Sequence, residues 1–136
     1  MEAIERIQAD GKPIAIIVRN EFSQPGVNFF SPFEFSQQLG ILVHPSGHEV
    51  KPHVHNLIAR DVRVTQEVLY VIKGKIEITL YKENREFLTS RILTQGDTIL
   101  LAYGGHGIKI LEPSKLLEVK QGPYAGMEDK EFFERP

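Results

Sequence analysis

The chain has no cysteine. That excludes disulfide staples, thiolate zinc sites and thiol nucleophiles together. No apolar run approaches the roughly 20 residues that a membrane-spanning helix needs. Met1 to Arg6 carry acids and lack the apolar core of a signal peptide. There is no Asn-x-Ser/Thr glycosylation acceptor and no block of like charge. The formal net charge is -2 over 136 residues, so the basic footprint of a nucleic-acid binder is missing. These absences lead to the expectation of a soluble cytoplasmic protein that partners neither nucleic acid nor membrane. What is present is ordinary for a globular chain: 41% hydrophobic and 25% charged residues. The length suits one domain, 1–136, with one core.

The pattern is strand after strand, with turn residues between. Pro13–Val18 is a β-branched run between Gly11 and Asn20. Phe22–Ser36 has no clear period and reads as an ordered loop whose phenylalanines cover a core edge or a subunit interface. Leu39–Val43 is the next strand. From Glu67 to Tyr81, two alternating stretches flank Lys73-Gly74, which predicts a hairpin with Gly74 in its turn. The first of these strands is apolar on both faces except at Glu67, so it should be central. Phe87–Leu93 and Thr98–Ala102 follow, separated by Gln95-Gly96-Asp97. Ile108–Leu111 and Leu116–Lys120 read as a last pair around Pro113-Ser114. Helical spacing is confined to Glu2–Gln8 and the extreme C-terminus, where Phe132 and Phe133 are candidate anchors. Short, evenly spaced strands with Gly and Pro turns predict an all-β sandwich or barrel.

The chemistry-bearing residues are His44, His48, His53, His55 and His106, with Glu67. His53 and His55 are two apart, so in a strand they share a face, about 6.6 Å apart along the chain. Two imidazoles so spaced can lean onto one ion. Glu67 falls on the face of Leu69 and Val71, and an acid on a buried face needs a partner. His106 stands between glycines that let the backbone turn sharply. Neutral imidazoles with a carboxylate suit zinc, iron, manganese or nickel.

The order Gly47-x5-His53-x-His55, then Glu67-x6-Gly74, resembles the first motif of the cupin superfamily (residues 47–74). Gly96-x5-Ala102-x-Gly104 with His106 resembles the second (96–106). The stretches Thr65–Gly74, Gly96–Leu101 and Lys120–Tyr124 are similar to a group of small bacterial cupins, some linked to cell-surface sugar biosynthesis. The resemblance implies a jelly-roll β-barrel with one divalent transition metal in its lumen. It carries the ligand roles to His53, His55, Glu67 and His106, and it implies a homodimer. The chain departs from the pattern in three places. Residues 56–66 make a longer gap between His55 and Glu67 than the motif has. Ala102 replaces the usual proline, and one residue rather than two separates Gly104 from His106.

The functional expectation is a metal-dependent enzyme on a small molecule, of oxygenase, isomerase or decarboxylase type. Two alternatives stand beside it. One is a metal-free sugar-nucleotide isomerase or epimerase with His55 or His106 as base and a tyrosine as acid. The other is a non-catalytic binding or sensing domain. Arg60, Arg63, Tyr70, Tyr103, Lys120 and Gln121 are candidate substrate contacts, the arginines for an anionic group. His44 and His48 fall outside the expected site.

Overall fold

β-Branched and aromatic residues fill the regular elements, as pleated surfaces favour. The computed structural model describes residues 2–134. Their strands are β1 (Ile4–Ala9), β2 (Lys12–Val18), β3 (Gly26–Phe29), β4 (Gly40–Val43), β5 (Glu67–Tyr81), β6 (Phe87–Thr94), β7 (Thr98–Leu101) and β8 (Gly105–Lys120), followed by a 3-10 turn at Gly126–Asp129. Among these residues no helix is long and apolar enough to cross a membrane.

One antiparallel sheet runs in the order β1-β2-β7-β5-β6, and β8 pairs along the other side of β5. A separate β3-β4 hairpin makes a second, small sheet. The large sheet is a strongly curled half-barrel. The curl brings the two ends of the strand order together. Arg91 of β6 donates to both carboxylate oxygens of Glu5 on β1, at 2.7–3.0 Å, and Arg19, at the end of β2, donates to the Ile92 carbonyl at 2.6 Å. The concave face holds the main core, where Ile17, Val71, Ile76, Ile78, Leu80, Leu93 and Ile99 are fully buried. Each such aliphatic side chain stabilises the fold by about 1.5–3 kcal/mol. On the convex face Phe30 and Phe35, from the connection between β3 and β4, pack with Ile16, Val18 and Leu100.

Four local expectations are corrected. The hairpin expected at Gly74 is absent, because β5 runs unbroken from Glu67 to Tyr81. The last pair is likewise one strand, β8. Both errors have one cause. Opposite Gly74 the ladder steps from Lys73↔Lys115 to Lys75↔Glu112, so Pro113 and Ser114 face a single residue. That is a β-bulge, which bends a strand without reversing it. Ser114 Oγ accepts the Lys75 N–H at 3.0 Å and donates to the Glu112 carbonyl at 2.7 Å, replacing the lost rungs. The helical spacing at the N-terminus belongs instead to β1, where Ile7 points into the core. The Phe22–Ser36 loop contains β3. The expectation that β5 is central is met: it is flanked by β8 on one side and by β7 then β6 on the other.

Candidate functional site

Paired residues of antiparallel strands point to the same side of the sheet. Glu67 pairs with Leu101 of β7 and with Lys120 of β8, so it faces the concave side with the core. His106 pairs with Leu80 and faces that side too. These two residues lie far apart along their strands, and the turn after β7 closes the distance. Gly104 takes φ +80, and a Cβ there would strike the Tyr81 carbonyl. The chain runs on beside β2, with the Ala102 N–H donating to the Ile14 carbonyl at 2.9 Å and the Tyr103 N–H to the Pro13 carbonyl at 3.2 Å. It then crosses to the far end of the curled β5, and His106 Nε2 comes within 3.5 Å of Glu67 Oε1. Their side chains are 30% and 18% exposed.

Glu67 and His106 lie in a cleft of about 550 Å³, with Glu118, Lys120 and Lys82. The C-terminal segment forms its far wall. Thr65 Oγ1 donates to Asp129 at 3.1 Å, Arg85 pairs with Glu131 at 2.8 Å, and the Phe133 ring meets Tyr81 edge-on, with centroids 5.0 Å apart. Of the two expected aromatic anchors, Phe133 packs and Phe132 stays exposed.

The two carboxyls of the cleft, Glu67 and Glu118, are electrostatically coupled. The hydrogen bond from His106, joined by a hydrogen bond from Glu118 and the charges of His106 and Lys120, holds Glu67 at a pKa of about 2 against the opposing pull of burial. Glu118 is pushed above its ordinary value, first by that same hydrogen bond to Glu67, then by burial and the charge of Glu67. The two carboxyls are thus pushed in opposite directions, Glu67 down and Glu118 up. The signs follow. The Glu67 contribution to stability is full above its unfolded value of 4.5 and is lost as pH falls toward about 2. The Glu118 contribution runs the other way, present at low pH and lost as pH rises through its elevated folded value. In Glu67→Gln, Glu118 should titrate closer to 4.5 than in the parent chain. Carbon-detected NMR of the glutamate carboxyls measures this, and an unchanged Glu118 titration would refute the coupling.

His53 and His55 are adjacent, with ring centroids 5.1 Å apart and planes at 76°. His53 Nδ1 lies 2.8 Å from the Lys51 carbonyl. A carbonyl only accepts, so Nδ1 is the donor of this contact, which leaves Nε2 as the ring nitrogen open to a ligand. Neither histidine lines the cleft. Both lie on a stretch, residues 45–63, in which every residue is exposed. Among the described residues no three His, Asp or Glu side chains gather as a metal cage. The four expected ligands thus appear as two separate pairs. One chain offers the cleft two of its four expected donors, fewer than the three protein ligands a catalytic centre keeps.

The other candidates divide as follows. Lys120 lines the cleft. Tyr70 does not, because it pairs with Leu117 and Thr98 on the convex face. Tyr103 packs against the core with the Lys12 ammonium 4.4 Å above its ring. Gln121 anchors backbone, its N–H donating to the Gln66 carbonyl at 2.9 Å. Arg60 and Arg63 are exposed on the same stretch as the histidines, and Arg63 pairs with Asp61 at 3.1 Å. Glu118 was missed by sequence reasoning. Its signal was period-two parity with Lys120 within Leu116–Lys120, and what the sequence does not carry is the β8–β5 register that sets Glu118 opposite Leu69, two residues from Glu67.

No protein-family model, curated protein or solved structure matches this chain.

Proposed function

We propose that this chain is a small metal-binding cupin, with a jelly-roll barrel whose lumen takes one divalent transition ion and a small-molecule ligand. The observation that carries the reading is the convergence of Glu67 from the first motif and His106 from the second, 3.5 Å apart in one cleft. Residues so distant in sequence meet there by the curl of the sheet, and both are of ligand type. An ion at this end would supply Lewis acidity or a water of lowered pKa. The chain's own contributions are distinct from that. Glu67 is held ionised, its hydrogen bond and charge push the neighbouring Glu118 carboxyl above its ordinary value, and Lys120 and Lys82 offer cationic contacts to an anionic substrate group. Protein purified without a His tag should carry about one transition ion per chain by mass spectrometry. Glu67→Gln or His106→Gln should weaken its retention at least about tenfold in chelator competition. Metal-free protein that takes up no added Fe, Mn, Zn or Ni would refute the proposal.

A second reading draws on the same pair. A histidine hydrogen-bonded to a carboxylate in a polar cleft is also the arrangement of a general base. A metal-free isomerase or epimerase of sugar nucleotides would use His106 so. Turnover that survives full chelation favours this reading. Turnover that stops, and returns with one added ion, favours the first.

A further inference from the structure

The stretch that carries His53 and His55 belongs to no strand and pairs with no other element among the described residues. Between Gly47 and Gly74 there is no glycine, and between Ser46 and Ser90 no serine, so the composition is not that of a flexible linker. Val50, Val54, Leu57 and Ile58 are all exposed, Val54 to 88% and Leu57 to 103%. The hydrogen bonds within residues 47–63 are local: His48 to Pro45, His53 to Lys51 and Arg63 to Asp61. Both ends of the stretch are fastened. Gln66 accepts the Gln37 N–H through Oε1 at 3.0 Å and the Gln121 N–H through its carbonyl at 2.9 Å, while His44 stacks on His48 with centroids 3.9 Å apart. A segment with open N–H and C=O groups and apolar side chains in water is available to pair with another sheet edge.

The half-barrel lacks what that stretch would provide. Its concave face is open beside His106. Ile108 and Ile110, paired with the fully buried Ile78 and Ile76, are themselves 43% and 53% exposed. The outer edge of β8 pairs with no strand among the described residues. Each chain therefore carries an unpaired segment and an uncovered face, and a second copy carries the complements of both. Such self-complementarity closes in a two-fold dimer.

We infer that the metal centre is assembled between two copies of this chain, His53 and His55 of one joining Glu67 and His106 of the other. This rests on the metal-binding reading above and explains why one chain gathers only half the donors. It also gives the exposed Nε2 of His53 a destination.

The test is complementation between differently tagged chains, with the tags cleaved before metal is measured. One chain carries His53→Ala and His55→Ala, the other Glu67→Ala and His106→Ala. Alone, each should bind no metal. Co-expressed and purified through both tags in turn, the mixed dimer has one intact centre and one empty one. It should hold about one ion per two chains, half the wild-type content. Wild-type chains bearing the two tags should co-purify and sediment at about twice the 15.5 kDa of one chain. If wild type holds its ion and the mixed dimer holds none, the shared centre is refuted and the metal reading stands. If wild type holds none, the metal reading falls and the shared centre with it. A wild-type mass of one chain refutes the exchange whatever the metal content. Glu67→Gln with His106→Gln serves as the second partner should the alanine variant fail to fold.

Discussion

Asp97→Ala should destabilise the protein by about 3–5 kcal/mol, the usual cost of stripping one partner from a buried ion pair. Asp97 and Arg19 are each 7% exposed and 3.2 Å apart. The carboxylate does more than neutralise the guanidinium. Its Oδ1 accepts the Asn20 N–H at 2.9 Å, and Oδ2 accepts the Thr94 N–H at 2.9 Å. It therefore ties the exit of β2 to the turn between β6 and β7, while Arg19 reaches on to the Ile92 carbonyl. Without Asp97 a buried cation and two backbone donors lose their acceptor together. The midpoint of thermal unfolding should fall by roughly 10–20 °C for a domain of this size. Replacing both members with apolar residues, Arg19→Met and Asp97→Leu, should recover much of the loss, since no orphaned charge remains. A single-variant loss under about 1 kcal/mol would mean that water reaches Arg19 and the pair is not dry.

Gly74→Ala should cost about 2–6 kcal/mol. The residue sits at φ +106, where an L side chain is strained by about 1–3 kcal/mol. Space is lacking as well. A Cβ would lie 2.6 Å from the Pro113 carbonyl oxygen and 2.7 Å from the Ser114 Cα. Those are backbone atoms of the facing bulge, so they cannot swing aside, and overpacking adds about 1–3 kcal/mol. Gly107→Ala on β8 is the matched control. It has no atom within 4 Å of its would-be Cβ and should change stability by at most about 0.5 kcal/mol. Urea unfolding of both variants decides. Equal midpoints would show that the bulge rearranges freely.

Most strands were legible because alternation fixes which residues point inward, and Leu69, Val71, Ile76 and Ile78 follow it. Strand ends were less so, for a physical reason. Glycine at positive φ serves a reversing turn and a bulge equally, and Lys73-Gly74 gives no local sign of which. Pro113-Ser114 misleads in the same way, since proline is tolerated where the ladder has already lost a rung. In β1, Ile4 and Ile7 fit a helical spacing as well as a strand, and only pairing with β2 decides. Within the site, Glu67 and His106 were legible from motif order. Their meeting was not, because it depends on the curl of the sheet and the turn at Gly104. The His53–His55 pair was read on the premise of a paired strand, and pairing is a property of the partner strand rather than of the residues themselves.

The length of β8 has a consequence for the order of assembly. It lies along β5 from Glu67↔Lys120 to Tyr81↔Gly105. During synthesis β5 can zip onto β6 and then β7 by short, local closures. Its other side must wait until the chain has advanced to Lys120. Until then a line of open amides along β5, beside some of the most apolar residues of the chain, faces water or a chaperone. Pairing across so large a sequence separation is slow, and that interval is when a nascent chain of this design is most open to misassembly with its neighbours on the same messenger.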